Sequence, residues 1–193
     1  MRHPFLRLSR DQLLRFFRPM FLSTIILLFI MNMVSQPLAT SQAPGGIISF
    51  ELAKTPARST AIMNSWDSTQ KLIAAFSLGL DYLFILFYSI TLSLGCVWTS
   101  IVINPQKPAL ALIGLIIAWL QWAAAILDGI ENYSLFRILL VESNFPYSQL
   151  AFWCAVLKFG IIFAGIIWCV FALVINTANR RKTSRKSIGS LNR

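Results

Sequence analysis

Four apolar runs, residues 20–38, 72–102, 108–141 and 149–177, take up most of this 193-residue chain and decide what it can fold into. A helix needs roughly 20 consecutive apolar residues to cross a hydrocarbon core of about 30 Å, and each run meets that requirement. Transmembrane β-strands would be shorter and would alternate polar with apolar residues, whereas helices satisfy their own backbone hydrogen bonds in lipid. The expected fold is therefore all-α: a polytopic integral membrane bundle of four transmembrane helices. Composition agrees, because 56% of the residues are hydrophobic, only 12% are charged and the mean hydropathy is +0.67. A soluble domain of this size has no use for so much apolar surface. The second and third runs exceed the minimum length, so they are expected to tilt or to extend beyond the hydrocarbon.

The basic residues give the orientation. Arg2, Arg7, Arg10, Arg15 and Arg18 form a leader over residues 1–19, and Arg180, Arg181, Lys182, Arg185, Lys186 and Arg193 lie in a tail over residues 178–193. The positive-inside rule places both ends in the cytoplasm, as an even number of crossings requires. Lys107 falls in the second–third connection, expected on the cytoplasmic side, while the third–fourth loop carries no basic residue before Lys158 in the fourth run. A bacterial inner membrane or a plasma membrane is the expected location. The net charge of +10 sits at the two juxtamembrane ends rather than on a folded basic face, which argues against nucleic acid as a partner. Anionic lipid is the simpler partner for these ends, with a membrane-protein partner or phosphorylation at Ser184 and Ser187 as further candidates. The first run also reads as a secretory signal with Ser41-Gln42-Ala43 as its cleavage site, but its near-full span favours an uncleaved anchor.

Residues 39–71 form the one sizeable segment outside the spans, too short for an ordinary independent domain. A short helical cap is expected there. Pro44-Gly45-Gly46 breaks the chain, and Thr55-Pro56 offers an N-cap followed by proline at the first helical position, predicting a helix over residues 57–66. Its apolar residues suit either the membrane interface, the default for an amphipathic element, or the mouth of the bundle. Glu51 and Arg58 are candidates for a gate over a ligand path, although an exposed loop charge is ordinarily just solvated.

Charges inside the runs are the chemically informative feature. Asp81 lies nine residues into the second run and Lys158 nine into the fourth, each about 14 Å along its helix at a rise of 1.5 Å per residue. The third run is antiparallel to these, and Asp128 and Glu131 stand about 20 and 15 Å from its outer end by the same rise. Four charges are thus expected to converge in the outer half of the bundle. Helical spacing puts Gln121, Ala124, Ala125, Asp128, Glu131 and Asn132 on one stripe, and Ser77, Asp81 and Tyr88 on another. Ala151, Cys154, Ala155, Lys158, Gly165 and Cys169 form a small-residue stripe around the lysine, which permits close helix approach.

The simplest account of these charges is an ion-pair network gluing helices together, with Asn132, Tyr82 or Tyr133 adding hydrogen bonds. One lysine offsets only one of three carboxylates, however. A dry bundle must then protonate an acid, admit water, bind a cation or receive another positive group. Arg137 could help from the outer end, although snorkelling to the interface is its ordinary role. Asp81, Asp128, Glu131, Asn132 and Lys158 are accordingly the candidate ligand- or ion-binding residues.

Several chemistries find no support. His3 is the only histidine, so a His-rich metal site, a bis-His haem and a Ser-His hydrolase lack ligands or base. Carboxylates remain able to hold a hard cation. Cys96, Cys154 and Cys169 show no Cys-x-x-Cys spacing, against a thiol oxidoreductase of the vitamin K epoxide reductase type. The glycines are dispersed through helices and form no phosphate loop, and nothing in the sequence calls for a cofactor. The leading expectation is a non-enzymatic protein that binds a proton, a cation or a small amphiphile, or serves as a subunit of a membrane complex. The alternatives are an intramembrane acid/base enzyme acting on a lipid or sterol and a purely structural assembly protein. In helix count and intramembrane acids the chain resembles emopamil-binding isomerases, without a matching local motif.

Overall fold

The computed structural model of the protein describes residues 3–103, 107–141 and 146–191; from 178 onward it describes the backbone only. Six α-helices are present among them: α1 (Arg10–Ser35), α2 (Ile47–Glu51), α3 (Pro56–Asn64), α4 (Ser68–Ile103), α5 (Pro108–Val141) and α6 (Tyr147–Leu191). Two 3-10 turns, Pro4–Arg7 and Gln36–Leu38, flank α1, and the described residues contain no strand. Four helices are long and apolar enough to cross a membrane: Arg10–Leu38, Ser68–Ile103, Pro108–Leu140 and Tyr147–Ile175. The protein is therefore an all-α bundle of the kind its apolar runs imply. Ser184 and Ser187, and most of the third–fourth loop, lie outside the described side chains.

α1 and α4 start where local chemistry tells them to. Ser9 caps α1 by accepting from Gln12 N while Gln12 Oε1 accepts from Ser9 N, a reciprocal capping box. Asp67 and Gln70 make the same exchange at the head of α4, at 2.7 and 2.9 Å. α1 thus begins ten residues before its apolar run, and the basic leader is largely helical. The leader's first turn is docked as well: His3 is 1% exposed, with its ring 4.9 Å from that of Trp119 and Nε2 3.1 Å from Ser93 Oγ.

The bundle is asymmetric. α4 packs on α5, α5 on α6, and α6 on α4, whereas α1 rests mainly on α4 and stays peripheral. Only Leu13 and Leu27 of α1 are buried, and Phe21, Leu22, Ile25, Leu28 and Phe29 are exposed on its outer face. In water such a surface would be an aggregation hazard; against lipid tails it is the expected exterior.

Two apolar cores sit at opposite ends. One joins Leu13, Leu94, Val97, Trp168 and Ala172 near the leader. The other joins the cap to the far end of the bundle through Leu38, Phe50, Ile62, Trp66, Leu78 and Leu135. The cap therefore closes over the bundle mouth instead of lying along the interface. Thr55 Oγ1 accepts from Arg58 N and Pro56 opens α3, as the Thr-Pro pair predicts. Trp66 Nε1 donates to Leu38 O at 2.9 Å, tying α3 to the end of α1, and Ser59 and Ser148 pair their hydroxyls at 3.0 Å, tying it to α6. Gly46 makes the turn into α2: its φ of 57° favours glycine, and a Cβ there would stand 3.2 Å from Ser35 O.

Candidate functional site

Between the two cores lies a polar layer supplied by α2, α4, α5 and α6. Its centre is Lys158, 4% exposed on the small-residue stripe of α6, where Ala151, Cys154 and Ala155 are also buried. Small neighbours let α5 approach closely, and Lys158 Nζ donates to Asp128 Oδ1 at 2.5 Å. The other Asp128 oxygen accepts from Tyr88 OH on α4 at 2.9 Å. Three helices thus meet at one carboxylate whose two oxygens are both engaged, the arrangement that lets an ion pair survive burial.

Glu131, one turn along α5, is fully buried and places Oε2 2.9 Å from Lys158 Nζ. The angle is wrong for a hydrogen bond, and both Glu131 oxygens lack a hydrogen-bond partner. Asp81 on α4 is different again. Its Oδ2 accepts from Asn132 Nδ2 at 2.5 Å, and it makes no ion pair with Lys158. Asn132 Oδ1 is itself buried without a partner.

The fifth member comes from the cap. Glu51, at the end of α2, is 9% exposed, with Oε2 3.8 Å from Lys158 Nζ. Burial pushes its carboxyl above the usual range. Lys158 opposes that rise and Asp128 adds to it.

The structure therefore brings together Asp128, Glu131 and Lys158, with Asp81 and Asn132 beside them, as helical depth and phase require. It separates the two gate candidates. Glu51 joins the cluster, while Arg58 stays exposed and donates to Gln42 Oε1 at 3.0 Å and to Gln42 O at 2.8 Å. Tyr88 is the phenol that serves the acids; Tyr82 donates to Gly129 O at 3.2 Å and Tyr133 is exposed. Arg137 stacks over Tyr147 at 5.5 Å and pairs with no acid among the described residues. If all were ionised, the four carboxylates and one ammonium would leave three net negative charges in the polar layer.

This cluster opens onto a cavity of about 370 Å³ bounded by α1, the Pro44–Gly45–Gly46 turn, α2, α4 and α6. Glu51, Asp81, Asp128 and Lys158 form its charged wall, and Leu28, Met31, Ile47, Phe84, Phe159 and Ile162 are prominent in its apolar one. A volume of this size is at the low end of small-molecule sites. Elsewhere, Cys96 and Cys169 are free thiols with Sγ atoms 3.8 Å apart, packed between α4 and α6.

No protein-family model matches this chain, and neither does any curated protein or solved structure. The functional reading rests on the site itself.

Proposed function

We propose that this is a multi-pass membrane protein whose buried acid cluster binds a small cation in exchange for protons, without chemical conversion of the ligand. The observation that carries this reading is the charge imbalance: three carboxylates ring one ammonium and a fourth, Asp81, stands beside them on an open cavity. A network serving only to hold helices together gains nothing from acids in excess of its base, since each uncompensated buried charge is destabilising. An incoming cation supplies the missing charge, and the protons that otherwise neutralise the acids are released.

In this reading the cap closes the outer end of the site, and both basic ends lie in the cytoplasm of a bacterial inner or plasma membrane, against anionic lipid. The protein works alone or as the binding subunit of a membrane complex. A second reading takes its support from the grouping of Glu51, Asp128 and Glu131 around Lys158 beside the cavity, because acids and a base held next to an apolar pocket are what an acid/base step on a lipid or sterol requires.

The test is titration of the purified protein in lipid nanodiscs with a cation series running from sodium through tetramethylammonium to alkylamines, followed by mass spectrometry of the recovered ligand. Saturable cation binding that is lost in Asp81→Asn and Glu131→Gln variants of unchanged fold is expected. A ligand recovered chemically altered would move the assignment to the enzyme. Unaltered folding with no cation binding in the unmodified protein would leave only the helix-pairing role.

A further inference from the structure

We infer that the ligand is an amphiphilic amine that reaches the site sideways from the bilayer, between α1 and α6, placing its ammonium on Asp81 and its apolar body along Leu28, Met31, Phe84, Phe159 and Ile162. This rests on the cation-binding reading above and specifies its ligand.

Asp81 is singled out by what the other acids are doing. Asp128 and Glu131 lie within 2.5 and 2.9 Å of Lys158 Nζ, and Glu51 is 3.8 Å away. Asp81 lies on the cavity wall, is 92% buried and is engaged by Asn132 at Oδ2. It is the cluster's one carboxylate without an ammonium of its own. A second sign of unmet demand in the same layer is Glu131 Oε1, buried with no hydrogen-bond partner while Oε2 faces Lys158.

The cavity's shape and walls select the kind of cation. A bare hard cation needs about six to eight oxygens at roughly 2.0–2.6 Å, and among the described residues no three acidic, histidine or cysteine side chains are grouped as metal ligands. At about 30 Å³ per water-sized unit, the 370 Å³ cavity takes on the order of a dozen heavy atoms. An ammonium fills only the Asp81 end of that space. Asn32, Ser35 and Gln36 of the α1 end add neutral polar groups, and the rest of the lining, with Leu28, Met31, Phe84, Phe159 and Ile162 foremost, is apolar and favours a hydrocarbon body.

The route follows from the bundle's asymmetry. α1 packs chiefly on α4 and meets α6 in the leader-end core around Leu13 and Trp168; farther along, the cavity itself lies between Leu28 and Met31 of α1 and Phe159 and Ile162 of α6. Leu28, at that edge, is 51% exposed, and the hydrophobic residues beside it on α1 form the lipid-facing exterior. From the cap end the path is covered, because Ile47 and Glu51 of α2 are buried against the bundle. A ligand that partitions into the bilayer thus meets the opening directly, with its charged end nearest the acid cluster.

The experiment is native mass spectrometry of the full-length protein in neutral-lipid nanodiscs with ethylamine, hexylamine, decylamine and decanol. Stoichiometric binding of decylamine is expected, with affinity rising about fourfold per buried methylene along the amine series until the cavity is filled, and with no comparable retention of decanol. Asp81→Asn should lower decylamine affinity at least tenfold. Leu28→Trp, on an exposed face where folding is not at stake, should slow decylamine uptake or weaken its binding. Ethylamine binding as tightly as decylamine, or no effect of Leu28→Trp on decylamine, would overturn the amphiphile and the lateral route while leaving the cation-binding reading intact. Failure of every amine to bind would end both, and decanol binding as well as decylamine would remove Asp81 from the ligand's recognition.

Discussion

Replacing Lys158 with methionine isolates the contribution of the single cation in the polar layer. Methionine keeps a long flexible side chain in the small-residue groove of α6 but removes the ammonium that stands 2.5 Å from Asp128, 2.9 Å from Glu131 and 3.8 Å from Glu51. The abandoned acids are 2%, 0% and 9% exposed, so water cannot replace the lost partner without entering the bundle. Breaking a buried pair from one side typically costs about 3–5 kcal/mol, and that range is expected here. Adding Asp128→Leu to Lys158→Met should recover part of the stability by removing the orphaned charge as well. Reversible unfolding in bicelles measures all three proteins. A loss for Lys158→Met below about 1 kcal/mol would refute the claim that Lys158 holds the acid cluster together.

Glu51 makes a complementary prediction. Its carboxyl is raised above the model-compound range in the folded protein, so the folded state holds the proton more tightly than the unfolded one; the stability this provides is present below the ordinary glutamic acid range and is lost as pH rises through the raised value. Docking of the cap, read by hydrogen exchange over residues 47–66, should therefore weaken on the alkaline side, with Asp81, Asp128, Glu131 and Lys158 as the groups facing it, and Glu51→Gln should flatten the dependence. His3 has the opposite sign: burial holds its imidazole below the ordinary value, so docking of the leader is complete above about pH 6.5 and is lost as acid charges the ring; exchange at Phe5 and Leu6 reports it, and a pH-independent profile would contradict it. Trp66→Phe removes the donor to Leu38 O and leaves a buried carbonyl unpaired, for a loss of about 1–3 kcal/mol in bicelle unfolding. Gly114→Ala would push a methyl into Ser100 and Trp168 across α4, α5 and α6, for about 1–3 kcal/mol by the same measurement.

Helix length, depth and phase made much of the site legible in the sequence. Asp81, Asp128, Glu131 and Lys158 lie in long apolar runs, where a rise of 1.5 Å and a turn of 3.6 residues convert position directly into place. Asn132 came with the same stripe. Glu51 was visible only as a gate candidate, because α2 is a five-residue helix with no amphipathic period, and its contact with Lys158 spans 107 residues of chain. Nothing local encodes such a contact. Arg58 had an equal claim on sequence grounds, but its nearest acceptors were the two oxygens of Gln42 in the cap itself. Tyr88 shared the stripe of Asp81, yet its choice of Asp128 depended on how α4 and α5 cross. His3 is legible in the sequence only as the single histidine, in the basic leader; its docking depends on the Pro4–Arg7 turn that brings it to Ser93. The cavity had no sequence signature at all: it exists because α1 packs to one side, on α4.

The central claim, that the acid excess exists to take a cation in exchange for protons, is tested most directly by calorimetric titration of decylamine into the nanodisc-embedded protein in two buffers of different ionisation enthalpy. The account predicts a saturable heat that differs between the buffers because binding releases protons, and its loss in a folded Asp81→Asn variant. A heat that is the same in both buffers, or one that Asp81→Asn leaves unchanged, would contradict it.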